Sequence, residues 1–135
     1  MHSTFQFCES LVSLNLTFLN TKNVRQMFAF VSNCPLLKTI DFHNFNTDKV
    51  EDMGHMFAHD ISLKSLNLNS FNTRNVQNMW LMFHNLSSIH YLDLSNFNTE
   101  KLTNETWMFG YDINLDYLDI SSFRLNMNNP YLMRG

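Results

Sequence analysis

Large apolar residues recur along the chain in the pattern L-x-x-L-x-L-x-x-F, which returns every 26 residues. In the copy LKSLNLNS, Leu66 and Leu68 point to one side and the intervening serine and asparagines point to the other. Such alternation is typical of a short strand with one buried face, so each copy predicts a strand. The five copies place apolar residues at Leu11/Leu14/Leu16/Leu19, Leu37/Ile40/Phe42/Phe45, Leu63/Leu66/Leu68/Phe71, Ile89/Leu92/Leu94/Phe97 and Leu115/Leu118/Ile120/Phe123.

A second apolar pattern follows each predicted strand, after a Leu-Asn-Thr or Phe-Asn-Thr triplet. In VQNMWLMF the apolar residues are Val76, Met79, Met82 and Phe83, a spacing that suits one or two helical turns. Each repeat therefore predicts a strand followed by a short helix. The segments with this pattern are LNTKNVRQMFAFV, FNTDKVEDMGHMF, FNTRNVQNMWLMF and FNTEKLTNETWMF, which begin at Leu19, Phe45, Phe71 and Phe97.

A repeat of this length cannot bury both of its apolar stripes alone, so neighbouring copies are expected to stack. We predict an α/β repeat solenoid of about five 26-residue coils, with short parallel strands on one face and short helical turns on the other. The coils begin near residues 11, 37, 63, 89 and 115 of a single solenoid fragment, residues 1–135. Residues 1–10 are predicted to be the tail of a preceding coil. Residues 124–135, which contain Pro130, are predicted to be a degenerate end or a cap.

The motif F-N-T-x-x-V-x-x-M-x-x-M-F followed by L-x-x-L-x-L resembles the BspA-like leucine-rich-repeat family, the bacterial surface protein 26-residue repeat. That repeat is related to one in uncharacterised mycoplasma lipoproteins, and the resemblance covers about residues 11 to 123. It implies a cell-surface or secreted protein that adheres to host proteins or cells, and it implies no enzyme, cofactor or catalytic residue. The chain departs from common leucine-rich repeats because Phe45, Phe71, Phe97 and Phe123 stand where the ladder Asn is usual.

Composition and charge narrow the choice of partners. The chain has 135 residues, 44% of them hydrophobic, which is enough for the core of one domain. With a net charge of −3 and no cluster of Lys or Arg, the chain offers no basic surface that would bind nucleic acid or an acidic membrane. The fragment also carries no signal-peptide pattern and no apolar run long enough to span a membrane.

Polar strand residues predict a candidate binding face, since solenoids commonly bind through such a surface. Its columns are Ser13/Thr39/Ser65/Tyr91/Tyr117, Asn15/Asp41/Asn67/Asp93/Asp119 and Thr17/His43/Asn69/Ser95/Ser121. Aromatic rings beside hydrogen-bonding groups are plausible binding anchors. A solvated face without a specific ligand would show the same Asn, Ser and Asp residues. The predicted ligand-binding residues are Tyr91, Asp93, Tyr117, Asp119, Asn67 and His43.

The Asn of the triplet predicts a structural column. Asn20, Asn46, Asn72 and Asn98 each follow the apolar strand, where their side chains can satisfy backbone groups of a turn coil after coil. A ligand-binding role for these Asn residues is the less favoured alternative.

Two further groups of residues are candidates for metal binding and for a disulfide bond. His55 and His59 would share one face of a helix, with His84 from the next coil as a third weak candidate for metal binding. The segment lacks the Glu that a metallohydrolase needs beside its first His. Cys8 and Cys34 are 26 residues apart and therefore neighbours, so a disulfide is geometrically conceivable, although two reduced thiols are favoured.

The sequence therefore predicts a non-enzymatic recognition or adhesion module without a cofactor. Its partner is expected to be a host or extracellular protein or a glycan, and uncapped end coils are expected to favour self-association. A structural spacer that presents another domain is the alternative. A metal-dependent enzyme using the three histidines is a remote third possibility.

Overall fold

The strands of the protein are short and pair in parallel. The structure, a computed structural model, describes residues 1–112, 114–124 and 131–132. Strand β1 (Ser13–Asn15) pairs with β2 (Thr39–Asp41), and β3 (Tyr91–Asp93) pairs with β4 (Tyr117–Asp119). Paired residues are 26 apart, as Leu14 with Ile40 and Leu92 with Leu118, so the register equals the sequence repeat. Pro130 and most of the predicted end segment lie outside the described residues.

The predicted α/β solenoid with helical turns is wrong. In residues 1–112, 114–124 and 131–132 there is no helix, and the regular structure consists of four three-residue strands in two small sheets. It follows that no helix in these ranges has the length and apolar character required to cross a bilayer.

Tandem turns take the place of the predicted helices. In coil three, residues 63–88, the N–H of Met82 donates to the carbonyl of Met79 at 3.1 Å, and the N–H of His84 donates to that of Leu81 at 3.2 Å. Leu81 and Asn85 have φ values of 56° and 58°, in the left-handed region, which a right-handed helix cannot include. Successive turns overlap and begin two residues apart, and they bury Met79, Met82 and Phe83 without a helix.

Backbone hydrogen bonds of these turn segments run between coils. The N–H of Ala29 donates to Gly54 O at 2.9 Å, and the N–H of Val31 donates to Met56 O at 3.0 Å. Alternate amides of the following coils repeat this pattern. The buried backbone is thus satisfied by the next coil instead of by a helical turn. Isolated parallel bridges continue the stack through Gln26, Asp52, Asn78 and Asn104.

The core lies between the strands and the turn segments and is filled by residues that repeat in register. Phe57, Phe83 and Phe109 are 26 residues apart, and their rings stack with centroids 5.9 Å and 5.7 Å apart and interplanar angles of 17° and 5°. Phe45 and Phe71 stack in the same way at 5.9 Å. These rings bury large apolar areas between successive coils, which makes neighbouring coils depend on each other for stability.

Candidate ligand-binding cleft

The ladder of parallel strands is interrupted at coil three. Its copy of the strand, residues 65–67, forms no strand, although β2 and β3 stand on either side of it. In coil four the N–H of Leu94 donates to Asp119 O at 2.9 Å. The N–H groups of Leu68 and Phe42, at the same position of their own repeats, have no partner among the described residues. The interruption therefore exposes backbone groups that would otherwise be paired.

Two clefts flank this interrupted segment on the predicted binding face. The first, between β2 and coil three, has a volume of about 440 Å³, and the second, between coil three and β3, about 280 Å³. Both volumes are in or near the range of small-ligand sites. The first is lined by Ile40, Asp41, Phe42, His43, Asn44, Asn67, Asn69 and Ser70, and the second by Leu66, Asn67, Leu68, Asn69, Tyr91 and Asp93.

The first cleft contains an unusual backbone conformation. Asn44 has a φ of 68°, whereas its counterparts in other coils, Phe18, Ser70 and Asn96, do not have positive φ. Asn tolerates the left-handed region better than most residues because its short polar side chain can form local hydrogen bonds. The turn of coil two is thus shaped differently from its neighbours where the ladder is interrupted.

A stacked pair of tyrosines borders the second cleft. The rings of Tyr91 and Tyr117 have centroids 4.6 Å apart and an interplanar angle of 5°, and their exposed fractions are 58% and 46%. The hydroxyl of Tyr117 donates to Asp119 Oδ2 at 3.3 Å, and the negative charge of Asp119 raises the pKa of Tyr117. Since Tyr117 covers one face of the Tyr91 ring, the other face is turned towards coil three and the cleft.

The polar residues of the second cleft are held by short turns. Asp93 Oδ1 accepts the N–H of Ser95 at 2.9 Å, and Asn67 Oδ1 accepts the N–H of Asn69 at 3.1 Å. Asp119 makes the same contact with Ser121, and hydrogen bonds from Ser121 lower the pKa of Asp119. These bonds fix the side chains while leaving Asp93 Oδ2 and Asn67 Nδ2 without a partner in the described residues.

Four of the six predicted ligand-binding residues line the clefts, namely His43, Asn67, Tyr91 and Asp93. Tyr117 and Asp119 lie behind Tyr91 and support its ring instead. Among the lining residues that the selection left out are Asp41 and Asn69. Their signal was present, because both belong to the same polar columns.

Each residue of the predicted Asn column makes a turn contact within its own coil, Asn72 Nδ2 also donates to Asp48 Oδ1 of the preceding coil at 2.7 Å, and a threonine column joins the coils. Asn46 Oδ1 accepts the N–H of Asp48 at 3.1 Å, a turn contact made also by Asn20, Asn72 and Asn98. Thr47 Oγ1, by contrast, donates to Asn72 O at 3.0 Å in the next coil. Sequence reasoning missed these threonines, although each follows the Asn directly: Thr21, Thr47, Thr73 and Thr99, all buried.

Comparison with known proteins identifies the family. A family model described as "Mycoplasma protein of unknown function, DUF285" matches residues 1–124. The chain belongs to this family. Searches of curated proteins and of solved structures found no match. The expected membership of the BspA-like leucine-rich-repeat family is therefore wrong, because the match is to DUF285 and the helical turns of such a repeat are missing from the described residues.

The assignment to DUF285 removes the support for the expected cellular location of the protein. A cell-surface or secreted location was implied by the resemblance alone and stays a prediction without that support. The strand-face residues are not affected, since their selection rested on their own columns.

The three histidines do not converge. The rings of His59 and His84 contact each other with centroids 5.2 Å apart, whereas the His55 ring packs on Trp80 at 4.5 Å. His55 and His59 both have positive φ, so they do not share a helix face. Burial lowers the pKa of His55 and His84, and the Nδ1 atom of buried His84 has no partner. Within the described residues no group of three metal-ligating side chains exists.

The column that contains the cysteines also holds a buried acid, Asp60, and a half-buried one, Asp112. Cys8 and Cys34 are free thiols, and burial raises the pKa of Cys34 to about 12. Asp60 and Asp112 occupy the same position in later coils, and each accepts a backbone N–H from the preceding coil. Burial raises their pKa values to about 8 and about 7. These carboxyl groups connect coils and have no opening to the clefts on the strand face.

Proposed function

We propose that this DUF285 protein is a non-enzymatic recognition module that binds a protein or a glycan at the two clefts of its strand face. The observation that carries the proposal is the interrupted ladder at coil three, flanked by clefts of about 440 and 280 Å³. A regular ladder would pair the backbone groups of this segment and leave a closed sheet.

The character of the lining supports recognition. Aromatic Tyr91 stands beside Asp93, Asn67 and Asn69, which offer both donors and acceptors. The stacked Tyr117 and the turn contacts of Asp93 hold these groups before a ligand arrives, which lowers the entropy cost of binding.

The residues of the clefts do not suggest catalysis. Among the described residues His43 is the one histidine that lines them, and this part of the lining contains no cysteine or lysine. Ser70 and His43 both line the first cleft, but no hydrogen bond joins their side chains among the described residues, so the contact between nucleophile and base that group transfer requires is not observed there. Binding needs no such arrangement, and the polar and aromatic lining suffices for it.

The experiment that tests the proposal is a binding screen against extracellular-matrix proteins and a glycan array. It compares the wild type with a double variant, Tyr91→Ala plus Tyr117→Ala. The control is Phe18→Ala, which removes a 79% exposed ring in coil one, away from the clefts. We expect a saturable ligand that binds wild type and Phe18→Ala and is lost in the double variant. No ligand for a folded monomeric sample, or one unaffected by the double variant, contradicts the proposed site and favours a spacer.

A further inference from the structure

The second cleft lies on the side of Tyr91 where its column contains no third ring. Tyr91 and Tyr117 stack because they hold the same position in successive coils, and the preceding position in that column is Ser65. A serine leaves open the space that a third ring would fill. The cleft of about 280 Å³ adjoins this space and is lined by Tyr91, Asp93 and the segment Leu66 to Asn69, whereas Ser65 is not among its lining residues.

The charge of the cleft limits the ligand. Of the residues that the structure describes, Asp93 is the one charged residue that lines it, and no lysine, arginine or histidine among them does. A carboxylate with a free Oδ2 repels sulfated, phosphorylated and sialylated ligands, since nothing in the lining compensates their charge. The cleft is therefore suited to an uncharged ligand.

The hydrogen-bonding groups of the cleft specify the ligand further. Asp93 Oδ2 accepts, Asn67 Nδ2 donates, and the Asn69 amide does both. A sugar hydroxyl is both donor and acceptor, so adjacent hydroxyls of one ring can satisfy this mixed set. The apolar C–H face of the same ring can pack on the open face of Tyr91.

From these observations we infer that the cleft between coil three and β3 binds a neutral pyranose unit of a glycan, stacked on Tyr91 in place of a third ring. The inference rests on the proposed recognition function and names its ligand class. Tyr91 and Asp93 make the contacts, and Tyr117 positions the Tyr91 ring.

The repeat offers a direct test by substitution. Ser65→Tyr places a ring in the space assigned to the sugar, where it extends the stack of Tyr91 and Tyr117. The matched control is Ser13→Tyr, the same exposed position of the repeat in coil one. A ring on this face in coil one leaves the cleft open.

The experiment is a residue-resolved NMR titration of the whole chain with three neutral trisaccharides: chitotriose, cellotriose and mannotriose. At about 10 mM, even millimolar affinities give near-saturation. We expect saturable shifts at Leu66, Asn67 and Tyr91 with at least one sugar. Tyr91→Ala is expected to weaken binding about tenfold, the equivalent of about 1.4 kcal/mol for a lost aromatic contact. Ser65→Tyr is expected to abolish it, and Ser13→Tyr to leave it unchanged.

Each contrary outcome has a definite meaning. Absence of shifts with all three sugars, or equal binding by wild type and a folded Ser65→Tyr variant, overturns the glycan inference. If a protein from the screen nevertheless binds and is lost in Ser65→Tyr, the recognition function stands and the ligand is a polypeptide. If neither sugar nor protein depends on these residues, the glycan inference and the proposed function both fall.

Discussion

The hydroxyl of Thr47 donates a hydrogen bond to the carbonyl oxygen of Asn72 at 3.0 Å and accepts the N–H of the same residue at 2.8 Å. One buried side chain thus satisfies both backbone groups of a residue in the next coil. Thr21 and Thr73 repeat this double contact with Asn46 and Asn98. The threonine column thus joins neighbouring coils at the Asn-Thr triplet, a part of each coil that forms no strand.

Removing one hydroxyl of this column should be costly. Thr47→Val keeps the shape of the side chain but leaves the N–H and the carbonyl of Asn72 without partners. We expect a loss of about 2 to 4 kcal/mol in the free energy of unfolding, since each buried unsatisfied group costs about 1 to 3 kcal/mol. Urea denaturation measures it, with Thr47→Ser as the control that retains the hydroxyl. Equal losses in the two variants would show that the hydrogen bonds contribute nothing.

The buried carboxyl of Asp60 should make stability depend on pH. Its pKa rises from an ordinary 3.8 to about 8 in the folded state because of burial, so the folded protein retains this proton where the unfolded chain loses it. The contribution of Asp60 to the free energy of unfolding therefore falls as pH rises from about 4 to about 8.

Asp60→Asn removes this dependence and keeps an acceptor for the N–H of Cys34. We expect the variant to be more stable than wild type near pH 8 and to show a flatter pH profile in urea denaturation. Asp112→Asn, whose carboxyl has a pKa of about 7, should flatten the profile over a narrower range. Parallel profiles for wild type and Asp60→Asn would refute the assignment.

The two cysteines should differ in reactivity. Cys34 is fully buried, and its thiol has a pKa of about 12, so almost no thiolate forms near neutral pH. Cys8 is only half-buried. Iodoacetamide at pH 8 should label Cys8 alone in the folded protein and both residues in urea, as read by mass spectrometry. Equal labelling of both thiols under native conditions would be inconsistent with the packing of Cys34.

Gly54 is required by a close approach of neighbouring coils. A Cβ atom there would lie 2.7 Å from Asn78 Nδ2 and 3.0 Å from the ring of Phe28. Asn78 Nδ2 cannot retreat without lengthening its hydrogen bond to Asp52 Oδ1, now 2.8 Å. Gly54→Ala should therefore cost about 1 to 3 kcal/mol of stability, by thermal or urea denaturation. A neutral effect would mean that the Phe28 ring and the Asn78 amide move freely.

The spacing of the repeat could be predicted from the sequence, but the conformation of each strand and turn segment could not. Alternation around Leu14, Ile40, Leu92 and Leu118 coincides with the observed strands. The spacing of Val76, Met79 and Met82 was misread as helical, because the overlapping turns of this segment bury the same positions. Residues with a left-handed backbone, such as Leu81, distinguish tandem turns from a helix. These residues are not glycines, so their conformation could not be predicted from the sequence.

Only part of the candidate site could be predicted from the sequence. Tyr91 and Asp93 could be selected because aromatic rings beside hydrogen-bonding groups are plausible binding anchors. The interruption at coil three was hidden, since Leu66 and Leu68 alternate as in every other copy. The polar side does not distinguish it either, because Ser13–Asn15 has the same three residues as positions 65–67 and forms strand β1.

Both the recognition function and the glycan inference depend on that interruption, which amide hydrogen exchange can test directly. The most informative comparison is between Leu68 and Leu94, which hold the same position in coils three and four. Leu94 N–H is bonded to Asp119 O at 2.9 Å, whereas Leu68 N–H has no partner among the described residues. We predict that Leu68, with Phe42, exchanges much faster than Leu94 in the ligand-free protein. Equal protection of Leu68 and Leu94 would show that the ladder is continuous and that the proposed cleft does not exist.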